Sequence, residues 1–172
     1  MTNLETLLSE KKATSEDALL IFDSLESIKP DFMFGEWRGD EIFTGHPMEG
    51  NLQRGGWAGK EFKSPEEVSP LVYYANEQRN DTFWVDPYVH FKNRSEGSKD
   101  VFIGTIRDKV ETNEYKARLR QIIYRGKIET AMIYDNLPIH DIFKKIDENT
   151  VLGVMDYKII PQPYFFILKR KN

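Results

Sequence analysis

The stretch FMFGEWRGDEIFTGHPMEGNLQRGGWAG, residues 32–59, carries two Gly/Trp clusters around a turn-rich TGHPMEG. The clusters are Gly35-x-Trp37-x-Gly39 and Gly56-Trp57-x-Gly59. Tryptophan needs space, and glycine supplies either that space or a left-handed backbone. The pattern suits tight corners of a curved sheet, where backbone passes close over a ring. Trp37 and Trp57 then read as core or barrel-plug residues, or as the wall of a ligand cavity.

Outward from this stretch the period of the sequence changes. Before it, residues 1–30 read as helices. Asn3 or Thr2 is placed to cap the first, and Thr14 or Ser15 the second, with Ala18, Leu19, Phe22 and Leu25 at helical spacing. After it, short segments rich in Val, Ile, Tyr, Phe and Trp alternate with Gly, Pro, Asn and Asp. Strands are expected near 32–39, 54–62, 69–75, 81–91, 100–108, 116–124, 127–134, 151–157 and 163–169. Arg125-Gly126 is a hairpin signal, and residues 93–99, NRSEGSK, read as a polar turn. In PIHDIFKKI, residues 138–146, Pro138 suits a first helical turn, and Ile139, Ile142, Phe143 and Ile146 share a helical face, so a short helix is expected there.

That many strands in one domain need their edges closed. The expected fold is mainly β: a single domain over residues 1–172, in which helices within 1–30 pack on an antiparallel lipocalin-like β-barrel over 31–172. A barrel of this strand number either fills its interior or holds one small ligand.

Composition narrows the function. The net charge of −4 gives no basic footprint for nucleic acid. The chain has no cysteine, which excludes disulfide and thiolate chemistry and suits a reducing compartment. The start MTNLETLLSEKKAT is not a signal peptide, and the apolar runs fall well short of the ~20 residues of a membrane span. A cytoplasmic location is expected, and a homodimer is compatible with this reading.

The candidate ligand-binding residues are Trp37, His46, Trp57, Lys60, Arg118 and Arg120. His46 lies in a glycine-rich turn, where imidazole can donate to a ligand, act as a base or bind iron. Arg118 and Arg120 share one strand face, turned either to water or into a polar cavity. Three functions are weighed. The first is binding of a small hydrophobic molecule with a polar or carboxylate end, in a cavity of ~300 Å³ or more and without a cofactor. The second is a cofactor-free hydrolase, isomerase or lyase with His46 as base and Asp135 or Asp156 as its partner. The third is haem ligation through His46 or His90. No spacing of histidines matches a compact metal signature.

The first half, residues 32–72, resembles the bacterial and fungal family named for its Gly-x-Trp-x-Gly motif. The later part, ARLRQIIYRGKIETAMIYDNLPIHDIFKKIDENTVLGVMDYK, resembles the uncharacterised domain that usually follows it. The TGHP, RGK, MIYD and LGVMD segments carry the likeness as a set. The resemblance implies membership rather than an activity. Family members commonly have Lys-Gly after the MD segment, where this chain has Lys158 followed by Ile159-Ile160. Gly35, Trp37 and Gly39 also look like the opening of lipocalin-like and nitrobindin-like barrels, which implies binding of hydrophobic small molecules or haem.

Overall fold

The computed structural model describes residues 2–95 and 101–171. Helices α1 (Leu4–Glu10) and α2 (Ser15–Ser24) open the chain, capped by the side chains of Asn3 and Thr14. A two-residue strand, β1 (Glu26–Ser27), and a 3-10 turn (Pro30–Met33) lead into β2 (Gly35–Ile42). There follow α3 (Asn51–Gly55), β3 (Trp57–Phe62), β4 (Val68–Tyr74), β5 (Thr82–Trp84) and α4 (Pro87–Ser95). After a 3-10 turn at Ile103–Ile106 come α5 (Arg107–Val110), β6 (Ala117–Tyr124), β7 (Lys127–Tyr134), β8 (Ile139–Asp147), β9 (Thr150–Tyr157) and β10 (Ile160–Arg170).

Strands β2, β3, β4, β6, β7, β8, β9 and β10 pair antiparallel in that order, and β10 returns to β2. The result is an eight-stranded barrel with the N-terminal helices packed against it. Closure pairs each of these strands on both sides, although β4 and β6 meet at one position, Val68 with Ala117. Arg125 and Gly126 both take positive φ (48° and 82°), the turn geometry that matches strand twist in a two-residue hairpin. The Lys158-Ile159 connection between β9 and β10 closes without positive φ at either residue.

Two apolar layers result. The inner one includes Trp37, Phe62, Tyr73, Leu119, Met132, Phe143 and Phe166. The outer one joins Leu7, Ile21 and Phe22 of the helices to Ile42, Ile142, Val154, Phe165 and Ile167 on the barrel exterior. A buried ion pair, Lys144 Nζ to Glu129 Oε1 at 2.9 Å, lies in this layer. Lys144 also donates to the Leu25 carbonyl and lies 5.3 Å from the Phe22 ring centre, tying the end of α2 to the sheet.

The double covering explains the largest departure from expectation. Where a short helix was expected over 138–146, the chain forms strand β8, Ile139–Asp147. Phe143 faces the inner layer and Ile142 the outer one, so both faces are apolar and period-two alternation disappears. The residual spacing then mimics a helix. The expected strand at 81–91 also breaks, at Asp86-Pro87. Asp86 Oδ1 accepts from the Tyr88 and Val89 N–H groups at 2.9 and 3.2 Å, and Pro87 opens α4. The expected strand at 100–108 is instead a 3-10 turn followed by the start of α5. Of the polar turn expected at 93–99, residues 93–95 end α4, and 96–99 lie outside the described residues.

Glycine makes the tryptophan packing possible. A Cβ on Gly39 would overlap the Trp57 ring, and one on Gly153 the Phe166 ring. Gly39→Ala is therefore expected to lower stability by about 1–3 kcal/mol through overpacking, measured by urea unfolding. The cost stays in this range because a ring can shift where backbone cannot.

Candidate functional site

The register places a cavity at one end of the barrel. Trp37 and the Pro30–Met33 turn fill the end where β2 begins: Trp37 Nε1 donates to the Met33 carbonyl at 2.7 Å, and the Arg170 guanidinium stacks on the ring at 4.2 Å. Toward the other end lies a cavity of about 40 Å³. Trp57 and Lys60 of β3 line it, with Leu71 of β4, Tyr134 of β7, Asp141 of β8, Met155 of β9, and Tyr164 and Phe166 of β10. Met48, Asn51 and Leu52 close it from the β2–β3 connection, and His90 and Phe91 from α4. The helix has room because β4 and β6 share a single paired position, Val68 with Ala117, before β5 takes over the β4 edge. The volume is far below the ~300 Å³ expected from sequence, because aromatic side chains occupy most of the interior. It still exceeds the ~10–15 Å³ needed for one water.

One polar group stands out in this apolar wall. Lys60 is 4% exposed and Asp141 2%, and Lys60 Nζ lies 2.8 Å from Asp141 Oδ2. Nζ also donates to the Pro70 carbonyl at 3.0 Å and lies 3.4 Å from the Tyr134 hydroxyl. The rings of Trp57, Tyr134 and Phe166 surround it at 5.2–5.7 Å. Asp141 Oδ1 is buried without a hydrogen-bond partner. Burial pushes the Lys60 ammonium below its usual range and the Asp141 carboxyl above its own, each opposed by attraction to the other. The same burial raises the Tyr134 phenol well above its ordinary value.

Backbone irregularity aims the lysine. The β3–β4 pairing shifts register between Trp57 and Gly59 and again between Gly59 and Glu61. Gly59 sits at φ +146°, against the Trp37 carbonyl. These bulges let Trp57 and Lys60, three residues apart, both line the cavity.

Two family models match in succession: GXWXG protein over residues 20–77, and domain of unknown function (DUF4334) over residues 115–170. The chain thus carries a GXWXG segment followed by a DUF4334 segment. The crystal structure of a protein from Thermomonospora curvata is similar along the whole chain. Its TM-score is 0.69 at 28% identity, covering 98% of this chain and 96% of that one. No curated protein matches. The GXWXG segment supplies Trp57, Lys60 and Leu71, and the DUF4334 segment supplies Tyr134, Asp141, Met155, Tyr164 and Phe166. The Lys60–Asp141 pair thus joins the two segments across the cavity, while His90 and Phe91 lie between the matched ranges.

The residues singled out from sequence separate in space. Trp57 and Lys60 line the cavity; Trp37 plugs the barrel beside it. Arg118 and Arg120 are not brought to the cavity. They lie on the outer face, paired with Asp135 at 2.6 Å and Glu66 at 2.6 Å. Inward positions of β6 go to Ala117 and Leu119, so the polar row faces water.

His46 is buried in its turn. Nδ1 accepts from the Met48 N–H at 3.0 Å, and the ring sits edge-on to Tyr164 at 5.1 Å. Glu49 accepts from the Thr44 and His46 N–H groups. Glu41 is buried on the inner face of β2, where it accepts from the Gly50 and Gln53 N–H groups and the Tyr164 hydroxyl. These carboxylates hold the TGHPMEG connection against the barrel.

His46 does not meet the aspartates proposed as its partners. Asp135 binds Arg118, and Asp156 lies on β9 opposite His140. The residues do not fit haem either. His46 Nδ1 is used by the backbone, His90 Nε2 lies 3.4 Å from the Tyr73 hydroxyl, and 40 Å³ cannot hold a macrocycle. Among the described residues, no group of three His, Asp or Glu is placed to hold a metal ion, and no helix is long and apolar enough to cross a membrane.

Burial lowers the His46 pKa from 6.5, with the Gln162 backbone and Glu49 opposing. An unfolded chain then takes up this proton at higher pH than the folded one. Stability linked to His46 is complete above about pH 6.5 and falls as pH drops through that value toward the lower folded pKa. His46→Gln should flatten the decline between about pH 6.5 and pH 5, read from urea midpoints.

Among the polar residues of the cavity, sequence reading passes over Asp141 and Tyr134 and weighs His90 only as a haem ligand. The helix expected over 138–146 hides the inward strand position of Asp141, and the strand expected over 81–91 places His90 near its end. Tyr134-Asp135 had drawn notice for its aspartate, whereas the tyrosine is the residue that points inward.

Proposed function

We propose that the barrel binds a small, mostly apolar molecule whose polar end meets Lys60, Asp141 and Tyr134. The observation that carries this reading is the buried Lys60–Asp141 pair in the wall of an otherwise apolar cavity, with Asp141 Oδ1 unpaired. Pockets of this kind bind through apolar area and take orientation from a few polar groups. A ligand hydroxyl suits Asp141 Oδ1 as a donor, and a ligand carbonyl suits Lys60 and Tyr134 as an acceptor.

Charge argues for a neutral polar end. The ammonium already has its carboxylate at 2.8 Å. A ligand carboxylate would bring a second negative charge beside Asp141 in a site poor in water, where like charges are costly. Size argues for few carbon atoms, with Met48 and Met155 the wall side chains best able to adjust.

Native mass spectrometry of gently purified protein, followed by calorimetry with butanone, 1-butanol and butyrate, tests the reading. The neutral compounds are expected to bind at least about tenfold more tightly than butyrate, a gap of about 1.4 kcal/mol. Leu71→Trp, which fills the cavity, should abolish the heat. Tighter binding of butyrate, or heats unchanged by Leu71→Trp, would contradict it.

A further inference from the structure

We infer that Lys60 is an amine nucleophile that captures small aldehydes and ketones as an imine inside the barrel. The inference rests on the cavity binding proposed above and adds a reaction to it.

The geometry supplies each part. An amine that attacks a carbonyl must be reachable from the substrate's position, held in place, and beside a group that can exchange protons with both nitrogen and oxygen. Lys60 lines the cavity, and its Nζ is held by the Pro70 carbonyl at 3.0 Å. Asp141 Oδ2 lies 2.8 Å from that nitrogen. The second carboxyl oxygen of Asp141 is buried without a partner, so it remains to serve the substrate oxygen. Tyr134 places a hydroxyl 3.4 Å from Nζ, where it can polarise the carbonyl. The apolar surroundings act in the same direction: burial lowers the Lys60 pKa and raises that of Asp141, drawing the pair toward neutral amine and neutral acid.

The step balances within the site. Proton transfer from Lys60 to Asp141 frees the nitrogen lone pair. Nitrogen adds to the carbonyl carbon, and the C=O π pair moves to oxygen, which takes the Asp141 proton. The carboxylate then removes a proton from nitrogen, leaving a neutral carbinolamine. Asp141 returns that proton to the hydroxyl, the C–O bond breaks, and water leaves as the nitrogen lone pair forms C=N. The product is an iminium on Lys60 facing the Asp141 carboxylate, with one water released.

Reductive trapping on the intact protein tests this. Substoichiometric propanal with cyanoborohydride at about pH 6, where ordinary lysines are almost wholly protonated, should add one propyl group at Lys60 before any exposed lysine, read by peptide mapping. Asp141→Asn should slow the trapping at Lys60 at least about tenfold; in the unsubstituted protein butanone should shift the Met48 and Met155 methyl resonances. Propyl groups only on exposed lysines, with Lys60 unmodified, would overturn the inference. If butanone shifts those methyls in the same preparation, imine formation alone fails and cavity binding stands. If it does not, both fail.

Discussion

Lys60→Met is expected to lower the unfolding free energy by about 3–5 kcal/mol at neutral pH, the range for breaking a buried pair by removing one partner. The variant leaves the Asp141 carboxylate in the apolar wall, with both oxygens deprived of a cation. The pH dependence has a definite sign. Burial raises the folded pKa of Asp141 above its ordinary 3.8 even with Lys60 present, and removing the ammonium raises it further. A carboxyl with a raised folded pKa favours folding most below its unfolded pKa, and that advantage is lost as pH rises through the folded value. Lys60→Met should therefore be least damaging near about pH 4 and most damaging near about pH 7. Adding Asp141→Leu should recover most of the loss, because well-packed apolar replacements of a buried pair are often neutral or better. Urea unfolding of the four members of the cycle checks this. A Lys60→Met penalty that is small and independent of pH would mean that the pair is hydrated rather than buried.

Gly59→Ala is expected to be more damaging still, with a loss above about 4 kcal/mol or no folded product. Two causes combine. At φ +146° an L-residue is strained, and the new Cβ would lie far inside contact with the Trp37 carbonyl oxygen, which is backbone held by the β2–β3 ladder. Gly126→Ala separates the causes. Gly126 has φ +82° but nothing within 4 Å of its would-be Cβ, so only the left-handed penalty of about 1–2 kcal/mol applies. Circular dichroism and urea midpoints of the two variants measure the difference. Equal effects would show that contact with Trp37 contributes nothing.

The barrel was legible because its signals are local. Arg125-Gly126 specifies its hairpin through two positive φ angles. The Gly/Trp clusters mark places where rings lie over glycine, with Trp57 on Gly39. Caps at Asn3 and Thr14 mark the two helices packed outside. What was not legible depends on the barrel's surroundings. β8 lost its alternation because α2 covers one face while the cavity and the inner core cover the other. Asp141 was hidden with it, and its meeting with Lys60 depends on closure of β2 through β10. The Asp86-Pro87 cap of α4 was readable, but the aromatic run around it masked the signal, and His90 was misplaced in consequence. Arg118 and Arg120 offered a plausible cavity lining only while the inward face of β6 was unknown; Leu119 between them settles that face.

Methionine-methyl NMR during a butanone titration tests the central claim most directly. Met48 and Met155 line the cavity, whereas Met33 and Met132 belong to the inner core and do not line it. Saturable shifts of the Met48 and Met155 methyls, with Met33 and Met132 nearly unmoved, are the predicted result. No saturable shift at Met48 and Met155, or equal shifts at all four, would contradict a ligand site at Lys60 and Asp141.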